Sequence, residues 1–184
     1  RSTLSPSSAA SDVYKRQLLD RFGLSVVVDN IGSVEERMEI VRRNLEFEDD
    51  PEGFLRRYEE EQEELRRRII RARELLPHVE LPDELLEVIS KACLKLGVDG
   101  MRPDIVIARA ARALAALEGR AKVELDDVLR VAELALAHRT REHGRKGPAK
   151  PEEVRETILK VVGELKRVRG GPSEEVERGR GSGI

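Results

Sequence analysis

Two arginines carry the residue types and settings that could do chemistry in this chain. Arg21 stands in "QLLDRFGLSVVVD", Gln17 to Asp29, beside Asp20. It ends an apolar helical turn and is followed at once by Phe22, Gly23 and a β-branched run. Arg102 stands in "GVDGMRPDIVIARAARALAALEG", where Pro103 marks the first turn of a helix. A guanidinium at such an entry can point out of the bundle while the proline fixes the turn. Helix N-termini and fork-shaped donors both suit phosphate oxygens. Taken singly, each arginine reads more readily as a salt-bridge partner.

Other chemistries find little to work with. The sequence has no G-x-x-x-x-G-K-[ST] phosphate loop, no H-E-x-x-H, no CxxC and no nucleophile elbow. His78, His138 and His143 lack metal-ligand companions at sensible spacing, and no metal ligands are assigned. His78 falls beside Pro77 in a turn; His138 and His143 fall near a helix C-terminus, where a cation is favoured. Cys93, the single cysteine, sits in an apolar helical pattern and reads as a small buried hydrophobe.

The elements that must position the arginines follow from composition and periodicity. Of 184 residues, 38% are charged, 39% hydrophobic and only 3% aromatic, a mix that suits salt-laced amphipathic helices and disfavours a β-sandwich. The net charge of −2 gives no global basic field for nonspecific nucleic-acid binding. No apolar run approaches a membrane span, and the cytoplasm is the expected location.

"RSTLSPSSAASDVYKRQ", residues 1–17, is rich in Ser and Ala, has no periodic apolar face and resembles translated adapter sequence. It is expected to be a non-native leader, with the natural protein continuing upstream of Leu18. "LSVVVDNI" predicts a short buried strand from Leu24 to about Asp29. Ser33 with Glu36 forms a capping-box pattern that opens a helix to about Leu45, broken by "EDDPEG". Phe54, Tyr58, Leu65, Ile69, Ala72 and Leu76 then share helical spacing, with Glu63–Arg67 and Glu64–Arg68 pairs on the wet side.

Pro82 and Gly97 bracket another helix, and Pro103 and Gly119 the next. The alanines of that second helix, among them Ala108, Ala111 and Ala115, let neighbours approach closely, so it is expected at the centre of a bundle. One more helix starts near Asp126; a last one, "KPEEVRETILKVVGELKRVRGG", follows the linker "HGRKGPAK". From Gly170 the chain has no apolar face and is expected to be disordered. A lone strand beside a bundle cannot satisfy its own backbone, which suggests a piece of a larger α/β domain.

In their order and spacing, "LLDRFGLSVVVDNIGSVEERMEIVRR" and "GVDGMRPDIVIARAARALAALEGRAKVELDDVLRVAELALAHRTR" resemble the magnesium chelatase ATPase-subunit family, within the AAA+ ATPases. The resemblance runs from Leu18 to about Arg141. It implies a mainly α chain, a helical-bundle AAA+ lid with a short strand left over from a truncated α/β core. The implied organisation is a leader at 1–17, the edge of the core at 18–30 and the lid at 31–142. A linker and extra helix at 143–170 and a disordered tail at 171–184 complete it.

The same resemblance assigns Arg21 as the arginine finger, acting in trans on the γ-phosphate of ATP held by a neighbouring subunit. Asp20 supports that interface, and Arg102 is the second sensor arginine of the lid, contacting the phosphate of ATP bound in its own subunit. Implied cofactors are ATP and Mg2+ in the full-length protein, with none bound by this piece alone, which lacks the phosphate loop. Implied partners are further copies in a ring and other chelatase subunits, with magnesium or cobalt inserted into a tetrapyrrole. A remodelling ATPase of the related MoxR type and a non-catalytic helical interaction domain are the competing readings. DNA binding finds thin support, since acidic and basic residues alternate without aromatic stacking platforms.

Overall fold

The computed structural model describes residues 21–139, 141–142 and 145–169. The leader at 1–17, Asp20, His143 and the tail at 171–184 lie outside the described residues. Among the described residues seven α-helices follow one another: α1 (Val34–Asp49), α2 (Pro51–Arg57), α3 (Glu59–Leu75), α4 (Asp83–Leu96), α5 (Arg102–Leu117), α6 (Leu125–Leu136) and α7 (Pro151–Arg169). The fold is mainly α, as the charge-rich, aromatic-poor composition requires.

Local chemistry sets most of the boundaries. Ser33 Oγ accepts the Glu36 N–H at 3.3 Å and donates to the Glu35 carboxylate at 2.9 Å, capping α1. Asp50 ends α1 and caps α2, its carboxylate accepting the Gly53 N–H at 2.9 Å. A Cβ on Gly53 would lie 2.0 Å from that carboxylate, so glycine is what lets the cap close. The expected single helix through Phe54 and Leu76 is broken at Tyr58, where Phe47, Phe54 and Tyr58 cluster with ring centroids 5.6 and 5.0 Å apart. Those rings pack where α1, α2 and α3 meet, and the kink brings them together. The Glu63–Arg67 pair forms at 3.5 Å on an exposed face.

Burial concentrates in α4 to α7. Central α5 packs on α3, α4 and α6, while α7 lies across α4 and α6. Ala111, Ala115, Val128, Ala132, Ala135 and Val161 are fully buried, around Ile89, Ile107 and Ile158 at 2% exposure or less. The alanines of α5 let its neighbours sit close, as their spacing predicted. Gly97 ends α4 with φ +67, a left-handed turn that favours glycine. By contrast, none of the residues of α1, α2 or α3 is buried.

Leu24 to Asp29, expected as a strand, forms no ladder among the described residues. Val26, Val27 and Val28 are 66%, 79% and 88% exposed, because no second strand runs beside them there. β-branched composition favours extended backbone, but a sheet needs a partner edge.

Candidate functional site

Arg102 opens α5 as an exposed residue, and the N-cap position before it, Met101, makes no side-chain capping bond. Gly100 turns the chain into the helix with φ +76, and a Cβ there would meet nothing within 4 Å. An uncapped, open helix N-terminus with a guanidinium at its first residue is a favourable place for phosphate oxygens. Pro103 contributes no N–H, so one of the orphan backbone donors of this helix end is missing, and the guanidinium adds its own donors to those that remain.

Arg21 is also exposed, and the backbone after it is docked on the bundle. Phe22 O accepts hydrogen bonds from His138 Nε2 and from Arg139 Nη2, each at 3.0 Å. The Ser25 N–H donates to Leu134 O at 3.0 Å. Between these ties, Gly23 lies against α5: a Cβ added there would be 3.7 Å from Val106 Cγ1. Val106 is four residues after Arg102, on the same helix face and about 6 Å further along the axis. The fold therefore brings the backbone that follows Arg21 to within a turn of Arg102.

Charged groups behind this face fix the helices. Arg139, 3% exposed, donates from Nε to Ala135 O at 2.9 Å. Asp104, in the first turn of α5, is buried beside Cys93. Burial and then the Asp104 carboxylate push the Cys93 thiol up to about 12, against an opposing pull from Arg139. Cys93 is 4% exposed and packs as a small apolar side chain.

On the far side, Arg120 forks onto buried Asp127 at 2.7 and 2.5 Å, and the Glu124 N–H donates to the same carboxylate at 2.8 Å. Burial pushes the Asp127 carboxyl up, but the Arg120 fork and the Glu124 N–H outweigh it and hold it below the usual carboxylate range. Arg112 reaches back to Val79 O and Leu76 O at 3.0 and 3.1 Å, seating the turn after α3.

Among the described residues no group of three or more His, Cys, Asp or Glu could hold a metal ion. Nor is any helix among them long and apolar enough to cross a membrane. His138 was expected near a helix C-terminus and lies two residues past α6, but its partner is a carbonyl 116 residues away. Sequence reasoning missed that contact, along with Arg139, Asp104, Arg112 and the Arg120–Asp127 pair. The one available signal was the pair of nitrogen donors His138–Arg139 directly after the apolar run of α6.

A family model described as the AAA lid domain matches residues 86–160. The magnesium-chelatase subunit ChlI homolog of Methanocaldococcus jannaschii is 48% identical over 151 residues, covering 82% of this chain and 40% of that protein. The chain belongs to the magnesium chelatase ATPase-subunit family. Within that family, the magnesium-chelatase 38 kDa subunit of Chlorobaculum tepidum is 41% identical over 148 residues, 80% of this chain and 38% of its own length. The magnesium-chelatase subunit ChlI of Cyanophora paradoxa is 49% identical over 125 residues, 68% of this chain and 36% of its own. The chain thus spans about two fifths of the length of the curated relatives it matches.

Arg102 falls inside the lid match, and Arg21 precedes it. The match also runs into α7, beyond the end near Arg141 read from the sequence. Accordingly Val154, Ile158, Val161 and Leu165 are buried against the other helices.

Proposed function

We propose that the intact protein is the ATP-hydrolysing motor subunit of a metal chelatase, driving insertion of magnesium or cobalt into a tetrapyrrole. The observation that carries this reading is the 48% identity, over 82% of the chain, to a protein named as a chelatase subunit homolog. Relatives so named favour chelation over protein remodelling and over a non-catalytic interaction domain. In this reading subunits assemble as a cytoplasmic ring with ATP and Mg2+ at each junction, alongside other chelatase subunits.

Arg102 holds a phosphate oxygen of the nucleotide in its own subunit; its exposed place at the uncapped start of α5 supports that role. Arg21 is exposed on a docked segment and reaches in trans to the neighbour's γ-phosphate, with Asp20 supporting the junction. ATP supplies the phosphoryl group, and the protein supplies charge where the transfer spreads it over equatorial oxygens. A positioned guanidinium is worth ~10³–10⁵ in rate in comparable phosphoryl transfers. Lysine replaces it poorly, lacking the planar fork.

The test is complementation in the full-length protein. Arg21→Ala subunits and subunits with a disabled phosphate loop are each inactive alone and regain ATPase activity when mixed. Intact assembly with no recovery at any mixing ratio refutes the trans role. Arg102→Ala subunits mixed with the same loop-disabled partners recover less, since Arg102 serves the nucleotide of its own subunit.

A further inference from the structure

We infer that His138 and Arg139 are positioning residues that fasten the Arg21 segment to the lid, so that Arg102 and Arg21 move on one rigid body and consecutive ring sites are coupled. This rests on the proposed roles of the two arginines, and its own content is the clamp.

The clamp is built on one backbone atom. Phe22 O accepts both His138 Nε2 and Arg139 Nη2 at 3.0 Å, which uses both lone pairs of the carbonyl. A carbonyl can only accept, so Nε2 carries the hydrogen; Nδ1 is buried with no hydrogen-bond partner among the described residues. Arg139 is no swinging arm, because it is buried and its Nε is tied to Ala135 O at 2.9 Å. Its bond to Phe22 O is charge-assisted and stronger than a neutral one. Ser25 adds a third tie, to Leu134 O. All three attach residues 22–25 to the end of α6, and Gly23 rests on Val106 of α5.

The consequence for Arg21 is geometric. Its Cα is one trans peptide, about 3.8 Å, from that of Phe22, so few torsions separate it from the fixed carbonyl. α6 packs along α5, whose first residue is Arg102. A shift of the lid when Arg102 engages phosphate therefore carries the origin of Arg21 with it. A guanidinium displaced by about 1 Å can lose on the order of 10²-fold in rate. The clamp thus lets nucleotide state in one subunit set how well that subunit serves the next.

Mixed rings of the full-length protein test this. Subunits with a disabled phosphate loop act only as donors of Arg21 to wild-type neighbours, whose ATP hydrolysis is measured. Donors carrying Arg21→Ala set the floor. Donors carrying His138→Leu are expected to lower kcat at the neighbouring site about 10-fold, with KM for ATP unchanged. His138→Gln, which keeps an N–H near the Nε2 position, restores most of it. Arg139→Met donors fall at least as far as His138→Leu donors; if they do not assemble, the His138 pair decides. Amide exchange at Ser25 quickens in His138→Leu and not in His138→Gln. If Arg21→Ala donors depress hydrolysis while His138→Leu and Arg139→Met donors behave as wild type, the clamp is refuted and the finger stands. If Arg21→Ala donors have no effect, the finger reading fails first and takes the coupling with it.

Discussion

Truncating Ile158 to alanine measures whether α7 belongs to the bundle or merely follows it. Ile158 is 2% exposed among helices α4 and α6, so the change empties a site that the neighbours cannot refill. Three carbons are removed, costing about 2.4 kcal/mol at about 0.8 kcal/mol per buried methylene. A residual cavity of roughly 50 Å³ adds about 1 kcal/mol at ~24 cal/mol per Å³, giving about 3–4 kcal/mol in total. With an m-value of about 2 kcal/mol/M, the urea midpoint should fall by about 1.5–2 M at unchanged slope. Circular dichroism is the assay, because the chain has no tryptophan to report by fluorescence. Leu159→Ala is the control: Leu159 is 46% exposed, and its truncation should cost under about 1 kcal/mol. Equal midpoints for Ile158→Ala and Leu159→Ala would mean that α7 melts outside the cooperative unit and is no part of the bundle.

Two further outcomes follow from the buried ionisable groups. The Asp127 carboxyl is held low, so its stabilisation is present above the unfolded carboxyl value, about 3.9, and is lost as pH falls through the folded one. Asp127→Asn should cost about 1–3 kcal/mol at neutral pH and flatten the acid limb of stability against pH, read from urea midpoints. The Cys93 thiol, pushed up to about 12, should resist a thiol-specific reagent in the folded chain and react promptly in urea. Its contribution to stability is full below the unfolded thiol value, about 8.5, and declines as pH rises toward the folded one. Rapid labelling of the native chain would show that α4 opens locally.

Punctuation residues made the helices legible. Ser33, Asp50, Pro51, Pro82, Gly97 and Pro103 act through their own backbone or that of near neighbours, so their meaning is written within a few residues. The place of Arg102 at the start of α5 was readable for the same reason. The clamp was not: Phe22 and Arg139 are 117 residues apart, and a charge after a helix reads as a solvated side chain until the fold places a carbonyl above it. The Arg120–Asp127 fork spans only seven residues, yet "ELDD" offers several carboxylates, and burial alone singles out Asp127. Leu24 to Asp29 shows the opposite error, since β-branched side chains favour extended backbone without specifying a neighbour. The last helix was legible, but its place in the bundle was not, because the apolar face of α7 means little until α4 is known to lie beneath it.

The alanines at the heart of α5 also decide how the bundle can answer a push. Ala111 and Ala115 are wholly enclosed, so their own side of each contact is backbone and a methyl group with no rotamer to rearrange. Such a joint has no backlash: force applied at one end of the helix emerges at the other as displacement, and is not dissipated by side chains yielding on the way. Short side chains here make a stiff axle.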